Sequence, residues 1–277
     1  MRKLPIAPLA VFKLVRELRG STSVRRPLVV GGARALAEAL RRELVRGGDP
    51  AAVREASLGA LDGAAALVYV LGGDVTEEDE RAFRAAEVAG VPVIVLGPDP
   101  ATPIPFVLAT DVLQLAPGAG FPLAELARLV GSKADEDATA LAARLPVLRR
   151  GVAEALVAKV ARQNAIVGAA VFVRGVDFPV LTLNQLRLVL RIAVAYGQEL
   201  DAQRLPEILG VVFGALGFRT LARQALSAVP VAGWAVKGGF AYAGTRAVGE
   251  AAIAYFEARA SSGGGGAQPG APGANGA

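Results

Sequence analysis

Histidine and cysteine are both missing from this 277-residue chain, and methionine occurs once, at position 1. Their absence excludes thiolate nucleophiles, disulfides, Cys/His zinc sites, iron–sulfur clusters and every Ser-His or Cys-His catalytic arrangement. A chain without cysteine also carries no redox clue to its compartment. Aromatic residues make up only 5% of the sequence. No uncharged apolar run reaches the roughly 18–20 residues of a plain membrane-spanning helix. The three most conspicuous runs, residues 164–173, 208–218 and 224–236, are shorter. They suit buried core helices, or hairpins that enter a bilayer without crossing it. What the chain has in abundance is small and aliphatic: 53% hydrophobic residues, 33 glycines and a mean hydropathy of +0.44.

Charge is unevenly placed. Residues 1–26 hold seven basic groups against Glu17, residues 27–150 hold twelve basic against seventeen acidic, and residues 151–277 hold eleven against seven. The basic character of the chain therefore resides in its two ends. The arm has a single aromatic, Phe12, and no nucleic-acid-binding module follows it, so nucleic acid is not an expected partner. Anionic lipid or an acidic protein surface suits it better. Within the arm, Val11, Leu14, Val15 and Leu18 recur at helical spacing, with Lys13, Arg16 and Glu17 on the opposite side. That pattern describes an amphipathic basic helix able to lie on a membrane or to pack on its own protein. Lys13 and Arg16 are the arm's candidate lipid contacts. A secretory signal is not expected, because those two charges interrupt the apolar stretch. Residues 261–277 are Gly, Ala, Pro and Ser around one Gln and one Asn, a composition that cannot bury a core and predicts disorder.

From Pro27 onward short β-branched runs alternate with helical stretches, the pattern of a parallel sheet with crossover helices. Strands are expected at 28–30, 66–71, 91–96, 106–109 and 112–115, and helices at 33–46, 76–88 and 122–130. Thr76 with Asp79 is a helix start, and Glu77-Glu78-Asp79-Glu80 reads as acidic residues at the positive end of that helix rather than a metal site. Asp62, Asp74, Asp99 and Asp111 lie near strand ends, where α/β sites gather and where turns also favour aspartate. Gly31-Gly32, followed by Arg34, could hold an anion at a helix start. The same glycines equally suit a tight strand-to-helix turn.

The order of these elements resembles the later half of a small bacterial GTPase domain. Residues 64–99 are similar to the stretch between its magnesium-side and guanine-reading loops. Residues 106–130, with Gly118, Gly120, Glu125 and Leu126, are similar to its last strand, loop and helix. The functional motifs do not follow. A phosphate-binding loop requires G-x-x-x-x-G-K-[ST], whose lysine reaches the phosphates and whose hydroxyl holds magnesium. After the first strand this chain has Gly31-Gly32-Ala33-Arg34-Ala35-Leu36-Ala37. Its only lysine between residues 27 and 150 is Lys133, and the guanine-reading position holds Leu96-Gly97-Pro98-Asp99. The expectation is a pseudo-GTPase without nucleotide cofactor, metal or catalytic residue.

Residues 151–259 show no β alternation. Helices are expected over 152–173 and 182–196, separated by an extended entry at 176–181 fixed by Pro179. Further helices follow over 208–218 and 219–228, with a last one from about Trp234 to Phe256. Asp177-x-Pro179, Leu183-Asn184-Gln185-Leu186 and Ile192-Ala193-x-x-Tyr196-Gly197 resemble the bacterial domain of unknown function family 697. Arg223-Gln224-Ala225-Leu226, Val229-Pro230-x-x-Gly233 and Thr245-Arg246-Ala247-Val248-Gly249-Glu250 before Tyr255-Phe256 are similar to it as well. The resemblance implies membrane association and a place behind a GTPase domain, and it carries no activity. Arg187 with Arg191, and Arg219 with Arg223, stand one turn apart on apolar helices and need carboxylate, carbonyl or phosphate partners. Glu207, Glu250 or Asp177 could serve internally, or lipid headgroups or a partner's acidic groups externally.

The expected organisation is a basic arm over 1–26, a degenerate GTPase-like α/β domain over 27–150, an apolar glycine-rich helical domain over 151–260 and a tail over 261–277. The expected function is that of a non-catalytic, membrane-associated protein facing the cytoplasm. A soluble cytoplasmic interaction protein and an atypical nucleotide binder are the alternatives.

Overall fold

The computed structural model describes residues 16, 26–57, 61–97, 99, 103–116, 118–170, 177–198, 210 and 234–263. Five strands form one parallel sheet: β1 (Leu28–Gly32), β2 (Val53–Glu55), β3 (Ala66–Val70), β4 (Val93–Gly97) and β5 (Val112–Gln114), in the spatial order β2-β1-β3-β4-β5. The register aligns Leu28 with Val53 and Ala66, Val68 with Ile94, and Val95 with Val112. Three helices alternate with the strands: α1 (Arg34–Leu44), α2 (Glu77–Val88) and α3 (Leu123–Lys133). Four more complete the described structure: α4 (Asp135–Arg144), α5 (Arg149–Ala170), α6 (Asp177–Ala195) and α7 (Trp234–Gly263). The chain is thus an α/β unit joined to a helical region.

Alternation of side chains along each strand separates two apolar layers. Leu28, Val30, Val68, Val70, Ile94 and Leu96 face α1 and α3, while Val29, Leu67, Tyr69 and Val95 face Phe83 and Ala86 of α2. The first layer does not stop at the α/β unit. It continues through Leu126 and Val130 of α3 and Leu141 of α4 into Leu156, Val189, Ile192 and Phe256 of the helical region. Residues on both sides of position 150 therefore share one core. Lys133 and Asp111 tie α3 to the entry of β5 at 2.6 Å, and Arg144 meets Asp49 at 2.9 Å.

Several expectations are corrected. Residues 106–109 form a turn and the start of a 3-10 segment, not a strand. Phe106, which opens the segment, has φ 64, outside the β region. The expected extended entry at 176–181 is helical from Asp177, with Pro179 in the first turn, where a missing N–H costs nothing. Thr182 consequently lies inside α6 rather than at its cap. The last helix runs on to Gly263, and the hydroxyls of Ser261 and Ser262 donate to the carbonyls of Glu257 and Ala258. Two elements were not expected: β2, only three residues long, and α4, whose start at Asp135 breaks from α3 through a left-handed φ of 46. The expected helices at 208–218 and 219–228 lie outside the described residues, except for Gly210, which is helical.

Candidate functional site

In an open parallel sheet, ligands gather at the carboxyl ends of the strands, where the order of connections reverses. Here that point lies between β1 and β3, and Gly31, Gly32 and Arg34 sit on it. The geometry of the glycines is that of a closed turn. Gly32 has φ +103, and a Cβ built on it would stand 2.1 Å from the Val70 carbonyl oxygen. The next amide, Ala33 N–H, donates to that same carbonyl at 2.8 Å. Gly31 is equally confined, against Ala56 and the Tyr69 ring. The backbone amide most able to greet an anion is therefore spent on the sheet. Arg34 is exposed at the first helical position.

The four aspartates near strand ends divide. Asp74 and Asp99 follow β3 and β4, on the carboxyl edge, whereas Asp62 and Asp111 precede β3 and β5, on the opposite one. Asp111 is buried, with Lys133 on one oxygen and the Thr110 hydroxyl on the other. The lone lysine of the α/β unit thus braces the sheet floor, far from the turn after β1. The acidic run opens α2 as a capping box: Asp79 N–H donates to Thr76 Oγ1, and Thr76 N–H donates to Asp79 Oδ2 at 2.8 Å. Tyr69 adds its hydroxyl to Asp79 Oδ1 at 2.7 Å. Burial pushes the Asp79 carboxyl up, but the bonds from Thr76 and Tyr69 outweigh it and hold the carboxyl below its usual range. Burial, with Asp79 beside it, pushes the Tyr69 hydroxyl well above the usual tyrosine value. Among the described residues no group of acidic side chains is placed to hold a metal ion.

In the helical region, Arg191 turns inward. Its Nη2 donates to the Asp135 carbonyl at 3.1 Å and to Thr139 Oγ1 at 3.4 Å, both on α4, while Glu250 pairs with Arg246. Burial draws its guanidinium below the usual arginine value, against the pull of Asp135 and Glu136. Arg187 lies one turn earlier on the same helix, partly buried. Glu250 pairs with Arg246 at 2.7 Å along α7. Of the arm candidates Arg16 is described, helical and exposed. Lys13, Arg219 and Arg223 lie outside the described residues, as does Glu207.

Three helices of the helical region meet at a polar junction in which Asn164 and Thr245 are fully buried. Asn184 of α6 donates to Asn164 Oδ1 at 2.8 Å, Asn164 of α5 donates to Thr245 Oγ1 at 2.9 Å, and Thr245 of α7 donates to the Ala241 carbonyl. One short chain of hydrogen bonds thus pins three helices. Tyr196 stacks on Phe256 at 6.0 Å and donates to Glu257 Oε1 at 3.2 Å. Gly249 leaves no room beside Val157. Asn164 escaped the reading of the sequence; its only signal there was to be the one polar amide in an otherwise apolar run.

No family model matches the chain, and no curated protein matches it.

Two surfaces of the helical region remain. An open cleft of about 640 Å³ between α3, α5 and α7 is lined by Arg128, Arg150 and Arg246 against Glu154, Glu250 and Glu257. These six pair with one another, Glu154 accepting from both Arg128 and Arg150, so the cleft is electrically neutral. The second surface is the end of the bundle farthest from the sheet, where α5 finishes and α6 and α7 begin. There Ile166 is 69% and Phe240 43% exposed, beside the close approach of Gly238 to the Ala165 carbonyl. Among the described residues no helix is long and apolar enough to cross a membrane.

Proposed function

We propose that this is a non-catalytic, membrane-associated protein. In this reading a degenerate GTPase-like module is coupled to a helical domain of the unknown-function 697 kind, which docks its far end on a membrane facing the cytoplasm. The observation that carries the reading is the pair Ile166 and Phe240, two large apolar side chains exposed at the bundle end remote from the sheet. In the sequence Ile166 belongs to the uncharged apolar run over 164–173. Apolar side chains concentrated at one end of a bundle suit burial in a bilayer interface. The basic arm would add electrostatic attraction to anionic headgroups through Lys13 and Arg16.

The non-catalytic part of the reading rests on the turn after β1. It has no lysine or hydroxyl for a phosphate, and its leading amide is committed to Val70.

Flotation of the purified full-length protein with vesicles tests the reading. Binding to neutral and anionic vesicles that persists at about 1 M salt, where exposed charges are screened beyond roughly 3 Å, is expected. Ile166→Glu with Phe240→Glu should lower that salt-resistant fraction at least tenfold while leaving the far-ultraviolet spectrum unchanged. A protein that stays at the bottom of the gradient in every condition overturns the reading in favour of a soluble scaffold. Saturable GTP binding overturns the non-catalytic half.

A further inference from the structure

A second exposed apolar surface lies on the α/β unit, at the amino edge of the sheet, where α2 ends and β5 begins. Val88, the last residue of α2, is 84% exposed, and Leu108, shortly before β5, is 66% exposed. Phe106, two residues earlier, is 44% exposed. The Arg84 guanidinium lies 5.1 Å over the Phe106 ring, and Val88 stands one turn beyond Arg84 on the same helix. Ala85 and Ala109, both exposed, extend this surface without adding a polar side chain. Phe106 holds φ 64, a left-handed conformation that a bulky residue rarely adopts. A backbone strained to present a half-exposed ring is a feature that local sequence preference does not explain.

The charges at this surface complement themselves. The last turn and a half of α2 carries Arg84 and Glu87, exposed, opposite in sign and one turn apart. Among the described residues neither has an ion-pair partner. When two copies pack their α2 helices antiparallel about a two-fold axis, Arg84 of each copy faces Glu87 of the other. That is an isologous contact, in which one patch meets itself. A guanidinium stacked by its face on Phe106 leaves its N–H edge for a carboxylate, so the stack and the ion pair are compatible. The same register sets Val88 of each copy opposite the turn that holds Arg84 in the other, and hence toward Phe106. It also keeps the acidic starts of the two helices, Glu77 to Glu80, apart. At about 1.5 Å per residue the two Glu78 positions lie about 22 Å from one another along the axes, well beyond a screening length of about 8 Å. A pairing centred on the middle of α2 would instead set Arg81 against Arg84 and is disfavoured.

We propose that the chain associates with a second copy of itself through this surface, α2 against α2. The contact buries Val88, Phe106 and Leu108 and pairs Arg84 with Glu87 twice across a two-fold axis. The left-handed Phe106 then serves to place a ring in the centre of an interface. No residue of the far bundle end takes part, so the proposal stands apart from the membrane reading and is tested without lipid.

Sedimentation velocity of the full-length protein, from about 1 to about 100 μM, reads the oligomeric state across the range of weak to moderate association. A monomer–dimer equilibrium is expected. Val88→Glu with Leu108→Glu should raise the dissociation constant at least tenfold. Arg84→Glu and Glu87→Arg, which each set like charges across the axis, should raise it about tenfold singly. The double reversal, Arg84→Glu with Glu87→Arg, restores opposite signs and should recover most of the affinity. A mere loss of the Phe106 stack would not recover. The absence of cysteine adds an independent reading. Ala85→Cys, beside the axis, should close a disulfide between two chains on oxidation, whereas Arg42→Cys, on α1 across the sheet, should not. All these positions are solvent-exposed, and far-ultraviolet spectra check that the variants fold. A monomer at every concentration, a dimer that survives Val88→Glu with Leu108→Glu, or a double reversal no tighter than the single ones overturns the proposal. So does association lost only with Ile166→Glu and Phe240→Glu, which would place it at the bundle end.

Discussion

The α/β unit and the helical region each hold a glycine with no room for a side chain, Gly32 and Gly249, and what confines the two differs. In the sheet, Gly32 brings backbone against backbone: its φ of +103 and the Val70 carbonyl at 2.1 Å leave no space that a neighbour could yield. In the bundle, Gly249 lets α7 approach a side chain, Val157, whose methyls would stand 2.3 and 2.8 Å from an added Cβ. Polar burial differs in the same sense. The sheet hides one ion pair at its floor, Asp111 with Lys133, whereas the bundle hides a neutral relay of Asn184, Asn164 and Thr245. A sheet fixes its register through its own ladder. Apolar helices built from alanine and glycine have little to set their rotation or slide, and a buried polar pairing supplies it.

The sharpest way to break this comparison is to fill both glycines. Gly32→Val should cost about 4 kcal/mol or more, since a strained φ and a backbone clash combine. Gly249→Val should cost about 1–3 kcal/mol, the range of an overpacked but yielding core. Urea unfolding of the two variants measures both, and equal losses would erase the distinction. Next in size is Asn164→Ala, which removes the acceptor of Asn184 and one of the two bonds of the Thr245 hydroxyl and should cost about 1–3 kcal/mol. If the relay sets helix position as well as stability, that variant also loses near-ultraviolet dichroism from Tyr196 stacked on Phe256 before it unfolds. The smallest effect concerns pH. Asp79 has a folded pKa below its unfolded one, so its contribution is fully present above the unfolded value of about 4 and is lost as pH falls through the folded one. Tyr69→Phe removes one of the bonds that lower it. Its stability should therefore decline less between about pH 5 and pH 3 than that of the parent, by up to about 1 kcal/mol. Parallel acid titrations of unfolding compare the slopes.

Much of the sheet was legible from sequence because its signals are local. Leu28, Ala66 and Val112 begin short β-branched or aliphatic runs bounded by glycine and aspartate, and Thr76 with Asp79 marks the start of α2 to the residue. The segment 106–109 was misread because Val107 and Leu108 look like strand residues, while the left-handed Phe106 is a tertiary outcome. The start of α6 was misread because Pro179 stops a helix interior but is welcome in a first turn. At the candidate site, the missing phosphate-binding residues could be read directly. The commitment of Ala33 N–H to Val70 could not, since it depends on a strand thirty-odd residues away. The partners of Arg191 were hidden for the same reason: they lie on α4, which apolar periodicity does not announce.

The central claim is that the far end of the bundle meets the membrane, and the single tryptophan stands where it can report. Trp234 opens α7 at that end, and no other tryptophan contributes to the signal. Its fluorescence should be measured in the full-length protein with vesicles whose acyl chains are brominated. Quenching by bromines near the headgroup end of the chains, retained at high salt, is what the account predicts. Trp234 emission that is unchanged by brominated vesicles, when the protein is shown to be bound or free, contradicts it.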